Sequence, residues 1–484
     1  MSLRPRSGKQ EECVRYPRDG AISLATGRGI VVSSAPMKKF GFAALALVAL
    51  SLPGLSASAQ TESGEEQQPE EKAKASAEPA EPAEPAATTK AAPEPEPAGP
   101  YVPLAPPPEP LRISNASASI QLGMLLQPQF EMTGSSEAEL TTKNLFLRRT
   151  RLIVAGTLFK YFEYFFDTDW PNLFKLDIVD TMGGTVKNAP GMNIQDAFVT
   201  AKPAGDLIAV DAGFMLPPLS HNNIESAAKL YGPDYFTNGF RRNVSFMNAY
   251  DPFRSNGQNS VGRDLGVQLR GLVVGGHVEY RVGLFQGFRI SEVTGPPARV
   301  GGLNFFRVSA RLQVNILDAE PGFFHAGTYH GAKKILSVGG FYDFQDKYKY
   351  FGGDLLVDLP TGSFGVFTLQ ANVVRWDGGT FISEIRKNAA YMVEGGYLIG
   401  AIRLSPIVRY ERVDAPEVPT DPSTPGSPLI PDTLNPSENR IGGGLAFWPF
   451  GHNTNFKAFF QRVHRVPGTN DYNQVNVQWQ LYFL

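Results

Sequence analysis

The segment NQVNVQWQLYFL (473–484) puts Val475, Val477, Trp479, Leu481 and Phe483 on one face of an extended chain. Asn476, Gln478, Gln480 and Tyr482 fall on the other. Strand side chains alternate between faces, so this is a strand with one apolar and one wet surface. Such a strand suits a soluble sandwich, with the apolar face on a core, or a membrane barrel, with that face on lipid and the wet face on a lumen. Segments of about ten residues with the same pattern recur from residue 111 onward. Examples are IQLGMLLQPQF (120–130), RVSARLQVNI (307–316), GVFTLQANVVRW (365–376) and NFKAFFQRV (455–463). The count is about sixteen, an even number, as single-chain bacterial barrels require. No window of roughly 20 apolar residues follows the N-terminal region, so helical spans are not expected there.

The connections separate sandwich from barrel. In a barrel of this kind, short periplasmic turns alternate with longer outer loops. Traced back from the last strand, PAGD (203–206), VVGG (273–276) and LPTG (359–362) fall on the short side. The Pro-rich stretch 414–439 and the longest connection, about 216–262, fall on the long side. One segment does not fit: LDAEPGFFHAGTYHGAK (317–333) is long for a periplasmic turn. A sandwich has no reason to obey this alternation. The expected fold is all-β, a transmembrane antiparallel β-barrel of about 16 strands, surrounded by outer-membrane lipid, with a long third external loop folded into the lumen.

The N-terminal part reads differently. Lys38, Lys39, the apolar run Phe40–Leu52 and Ala57-Ser58-Ala59 form a secretory signal over 37–59. Residues 1–36 precede a complete signal, and Met37 is the expected start. Residues 60–110 are rich in Ala, Pro and Glu and cannot bury enough apolar surface to order themselves, so they read as a disordered periplasmic spacer. Contact of this spacer with peptidoglycan is a further expectation, with a solvated linker the plainer one. Residues 111–484 form the barrel. The single cysteine, Cys13, excludes a disulfide within the chain. A net charge of −2 argues against bulk nucleic-acid binding.

Charge assigns the inward face. An Arg or Lys facing lipid near the midplane costs about 2–4 kcal/mol. Hence Arg307, Ser309, Arg311, Gln313 and Asn315 point inward, and Val308, Ala310, Leu312 and Val314 outward. The same argument turns inward Arg149, Arg151, Arg270 (with Gln268 and Asp264), Arg281 (with Glu279 and His277), Arg403 and Arg409. Glu163, Asp167 and Asp169 also face inward, so the lumen is mixed in charge. Arginine outnumbers lysine about two to one over 111–484, and the planar guanidinium suits phosphate and carboxylate oxygens. These arginines either line an anion path or pair with wall acids and stiffen the barrel. For Arg148, Arg149 and Arg151, three cations in four residues, pairing alone demands several partners.

The loop 215–262 is too long and too rich in Phe and Tyr for a plain surface connection. It is expected to narrow the lumen, with Arg241 and Arg242 at a charged constriction. Trp170, Trp376, Trp448 and Trp479 are candidates for aromatic girdles at the membrane interfaces. Catalytic patterns are missing: there is no HExxH, no GxSxG and no GxxxxGK[ST]. His221 and Glu225 read as parts of a solvated loop rather than metal ligands. No enzyme, cofactor or metal is expected.

Several segments together resemble the phosphate-selective porins of the O and P type. NLFLRRTRLIVAGTLFKYFEYFFDTDW (144–170) is similar to an early hairpin of that family. IQDAFVTAKP (194–203) with IAVDAGFMLPPLS (208–220) is similar to its next hairpin and the run into its third loop. VGRDLGVQLRG (261–271), VGLFQG (282–287) and AAYMVEGGYLIG…SPIVRYE (389–411) continue the resemblance in order. It implies a sixteen-stranded homotrimeric barrel that passes small anionic solutes such as phosphate along arginines and lysines. The RRTR arginines and Arg263 match family positions, and Arg241 and Arg242 match loosely. Leu484 follows Phe483 where the family favours a terminal aromatic, and Lys229 is the sole lysine of the third loop. The resulting expectation is an outer-membrane porin for passive diffusion of small hydrophilic solutes. The rival is a structural or adhesive barrel with a plugged lumen.

Overall fold

The computed structural model of the chain describes residues 109–135, 141–159, 161–178, 185–187, 191–236, 262–287, 306–381, 387–414, 437–466 and 471–484. The signal, almost all of the spacer, and Arg241 and Arg242 lie outside the described residues.

The strands are β1 (Leu111–Ser114), β2 (Ala118–Ser135), β3 (Thr141–Leu158), β4 (Phe162–Asp169), β5 (Leu176–Ile178), β6 (Thr185–Lys187), β7 (Asn193–Ala201), β8 (Ala209–Met215), β9 (Asp264–Val273) and β10 (Val278–Phe285). They continue as β11 (Arg307–Asn315), β12 (Ile335–Gln345), β13 (Tyr348–Pro360), β14 (Gly365–Asp377), β15 (Asn388–Ile399), β16 (Leu404–Val413), β17 (Ser437–Phe450), β18 (Thr454–Val466) and β19 (Tyr472–Phe483). One short helix, α1 (His221–Ile224), follows β8.

Each barrel strand pairs antiparallel with the next, and β19 closes on β2 from Tyr472↔Ser135 to Phe483↔Met124. Leaving aside β1 and the separate β5–β6 pair, sixteen strands form the closed wall. Closure leaves no open edge, which is what a sheet needs inside hydrocarbon. Where β19 ends, β1 takes over its place beside β2, pairing Leu111↔Leu122 through Ser114↔Ser119. The β1–β2 turn is fixed by Asn115, whose side-chain oxygen accepts from the Ser117 and Ala118 amides at 2.8 Å each.

The alternation is plain in β11, where Leu312 is 55 % exposed and its neighbour Arg311 3 %. Large apolar side chains such as Leu145, Val267, Leu284, Val408 and Ile441 are exposed around the wall, while polar and charged ones are buried on its other face. An apolar surface this extensive is a liability in water and is satisfied by lipid. The architecture is that of a bacterial outer-membrane barrel.

The turns 203–206, 273–276 and 359–362 share one end of the barrel, and 215–262 and 414–439 open at the other, as the connection lengths suggested. There is one departure at the long-loop end: β12 and β13 are joined by only Asp346-Lys347, with Asp346 at φ 54°. Aromatic placement also departs from expectation. Trp479 is exposed and stacks on Phe456 at 5.6 Å. Trp376 and Trp448 are buried inside, where the Trp448 Nε1–H donates to Ser405 Oγ at 3.0 Å. They cannot form part of an interface girdle; an indole N–H with a partner inside is better placed there than in lipid.

Candidate functional site inside the barrel

The inner face is built strand by strand. Pro128 has no N–H to give the β2–β3 ladder, and the register slips between Leu126↔Thr150 and Pro128↔Leu147. The extra residue on β3 is a bulge. It lets two consecutive residues, Arg148 and Arg149, aim the same way. Both reach Asp234 of the loop after β8, at 2.8 and 2.7 Å. Burial works against the Asp234 charge, but the two guanidiniums outweigh it and hold the carboxyl well below its ordinary range.

The other expected arginines are also paired. Arg151 meets Asp167 at 2.8 Å and Asp169 at 3.2 Å. Arg263 meets Asp196 at 3.1 Å, Arg270 meets Asp211 at 2.9 Å and Arg281 meets Glu279 at 2.7 Å. Arg307 binds Asp343 at 2.8 Å, and Arg409 meets Glu394 at 3.2 Å and Glu411 at 2.6 Å. Arg311 reaches past β12 to Asp354 on β13, at 2.6 Å. Gly339 of β12 makes this crossing possible, because a Cβ there would collide with the Arg311 guanidinium and the Asp354 carboxylate. Three side chains depart from the expected pattern, the first being His277, which is exposed in the turn before β10 rather than facing inward. Arg403 lies in the turn before β16 at φ 55° and donates to the Pro449 carbonyl at 2.6 Å. Glu163 sits by the turn, against Lys202 at 2.8 Å.

Segment 216–236 is tied to side chains on nine strands. The Pro218 and Leu219 carbonyls accept from Ser309 and Arg311 of β11. The His221 amide donates to Asp354 of β13, and Asn222 to Gln370 of β14. The Gly232 amide donates to Glu394 of β15, and Arg409 of β16 donates to the Asp234 and Tyr235 carbonyls at 2.6 Å each. Lys457 of β18 donates to the Leu230 and Gly232 carbonyls at 2.7 and 2.8 Å. Gln480 of β19 and Gln127 of β2 hold Ala228 and Ala227, and Asp234 is held on β3.

The segment that fitted the alternation poorly, 316–334, is a second element against the inner face, with no sign of it in the sequence beyond its length. It leaves the short-turn end and is anchored to the same buried face. Arg281 donates to the Phe323 carbonyl at 2.7 Å, and Asp358 accepts from Thr328 and the Tyr329 amide. Phe323 packs on Phe198 at 4.4 Å and Phe324 on Phe165 at 5.2 Å.

The two segments meet. Ser226 N–H donates to His325 O at 2.9 Å, His325 N–H to Ile224 O at 3.0 Å and Gly327 N–H to Lys229 O at 2.9 Å. His221 Nδ1 donates to Glu225 and Nε2 to Glu320, each at 3.0 Å. Burial disfavours the imidazolium, yet the two carboxylates outweigh it and raise His221 to about 10. His221 and Glu225 are therefore buried and bonded, not solvated. A cavity of about 190 Å³ borders Glu225, with Arg151, Asp167, Lys229, Tyr235 and Arg263 in its walls.

No family model matches the chain, and no curated protein matches it. Solved structures similar to it include Salmonella typhi OmpF in complex with daunomycin, at 10% identity over 77% of this chain and 100% of that one, with a TM-score of 0.47. An anion-selective porin from Comamonas acidovorans matches at 13% identity over 76% and 100%, with a TM-score of 0.43. The outer membrane channel DcaP of Acinetobacter baumannii matches at 12% identity over 76% and 99%, also at 0.43.

Proposed function

We propose that the chain is an outer-membrane channel for passive diffusion of small hydrophilic solutes, narrowed from both ends by segments 216–236 and 316–334 folded into its lumen. The carrying observation is the wall itself: apolar side chains outside, and a continuous inner face of arginines, carboxylates and amides. Water and polar solutes are the natural contents of such a face.

Small anions, phosphate among them, are the favoured class. Two carboxylates are each shared by two guanidiniums: Asp234 by Arg148 and Arg149, and Glu438 by Arg440 and Arg465. Lys457 is held by two carbonyls. Positive charge exceeds the local acids at these two shared carboxylates, whereas Arg151 and Arg409 each face two carboxylates, so the excess is local to those places. A homotrimer, and a 60–110 spacer reaching peptidoglycan, complete the reading.

Purified protein in planar bilayers tests it. Discrete conductance steps with a reversal potential on the anion side are expected in a salt gradient, with added phosphate reducing chloride current. Cation-side reversal removes the anion claim. A second reading, a structural barrel with a plugged lumen, is favoured by the burial of the inner-wall charges. Folded, heat-modifiable protein that carries no current would establish it.

A further inference from the structure

We infer that the junction of the two luminal segments is a binding site for one divalent transition-metal ion, with His221, Glu320 and His325 as ligands. Their donor atoms lie within 4.8 Å of one another. Glu320 Oε1 is 3.0 Å from His221 Nε2 and 4.0 Å from His325 Nδ1. Donors on one tetrahedral zinc ion stand roughly 3.3 Å apart, given bonds of about 2.0–2.1 Å. Closing the widest gap, at most 4.8 Å, to that spacing takes a shift of up to about 1.5 Å, which rotation of the His325 ring about its side-chain bonds supplies.

The second observation is a pair of buried atoms left without hydrogen bonds. His325 Nδ1 is fully buried and unpartnered on the side facing Glu320, and Glu279 Oε2, 3.4 Å from His325 Nε2, is unpartnered as well. Of the eighteen buried side-chain polar atoms without partners among the described residues, these two face the same histidine–carboxylate cluster. A metal on Nδ1 accounts for both at once. The ring proton then resides on Nε2, where Glu279 Oε2 accepts it. Arg281 Nη2, which donates to that nitrogen at 2.8 Å without the ion, must then swing away from it, keeping Glu279 and the Phe323 carbonyl as its partners. On the other ligand, the ion takes the place of the proton that His221 Nε2 shares with Glu320, and Nδ1–H still donates to Glu225 at 3.0 Å. Both imidazoles then have a carboxylate behind them, the arrangement that orients metal-bound histidines.

Glu320 is already held for the task. Its Oε1 accepts from the Tyr329 hydroxyl at 2.9 Å and its Oε2 from Gln313 at 2.8 Å. Two imidazoles and one carboxylate suit zinc, cobalt or nickel rather than calcium or magnesium, which take oxygen ligands. His221 belongs to the segment from the outer end, and Glu320 and His325 to the one from the short-turn end, so a bound ion clips the two together inside the barrel.

The test is zinc and cobalt binding to the full mature chain, folded in detergent and freed of metal with a chelator. Isothermal titration with Zn²⁺ should give one site per chain, and Co²⁺ should give visible absorption of a low-coordinate nitrogen–oxygen site. His325→Ala and Glu320→Gln should abolish both signals. Glu279→Gln should weaken binding about 10–100-fold. Heat-modifiable migration on gels confirms that each variant is folded. A wild-type chain that binds no zinc, or binds it without the cobalt signature, overturns the proposal. So does binding that survives His325→Ala and Glu320→Gln and is lost with His464→Ala, whose imidazole lies at the exposed Asp471 pair.

Discussion

At the residue scale, the interior is a set of ion pairs completed by small gaps in the wall. Arg311 and Asp354 are both buried, so removing one leaves the other charge uncompensated. Asp354→Asn is expected to destabilise the folded barrel by about 3–5 kcal/mol, read as a shifted urea midpoint in lipid vesicles. Gly339→Ala should cost stability through the same pair without altering any charge. Asp234→Asn acts on permeation instead. It releases two guanidiniums, and the reversal potential in a salt gradient should move toward anions; no movement would mean that ions do not pass this point. That these arginines face inward was legible, because lipid excludes charge and alternation gives the rest. Their partners were not. Asp354 is two strands from Arg311, and strand register leaves no mark in a single sequence. The Arg148–Arg149 pair needed a bulge that only Pro128, on the neighbouring strand, hinted at.

At the element scale, strands were the most readable parts of the chain. IQLGMLLQPQF, RVSARLQVNI, GVFTLQANVVRW and NFKAFFQRV all lie in or along β2, β11, β14 and β18. Segment 316–334 was visible only as a violation of length, since a loop anchored by far-off side chains carries no periodicity. Two of its residues make it testable. Gly327 stands where the segments cross, and a Cβ there would press on the Tyr231 backbone and Glu225. Gly327→Val should part the segments and raise single-channel conductance; unchanged conductance would mean that the crossing does not limit flow. His330 packs against Trp448 of β17 and His452 of the β17–β18 turn, with Lys457 of β18 facing it. Burial, and then the Lys457 charge, push His330 down to about 3. The folded segment holds this ring neutral while the released segment protonates near its ordinary value, about 6.5. Its contribution to stability is present above that value and is lost as pH falls toward about 3. Proteolysis within 316–334 should therefore accelerate on acidification, and less so in His330→Gln. A cleavage rate that stays flat over this range would contradict it.

At the scale of the whole molecule, one physical division organises everything: hydrocarbon meets one face of the wall, and protein and water meet the other. The barrel and its direction were legible because parity of connections and alternation of side chains are both local patterns. The contacts that hold the luminal segments were not, because they join residues such as Lys457 and Leu230, far apart in sequence. The tryptophans sample the two sides. Trp479 is 41 % exposed on the outer face, and Trp448 is fully buried within. Single-tryptophan variants retaining one or the other, reconstituted in bilayers of brominated lipid, read the division directly. The account predicts strong quenching of Trp479 and little of Trp448. Equal quenching of the two, or quenching of Trp448 alone, would contradict it.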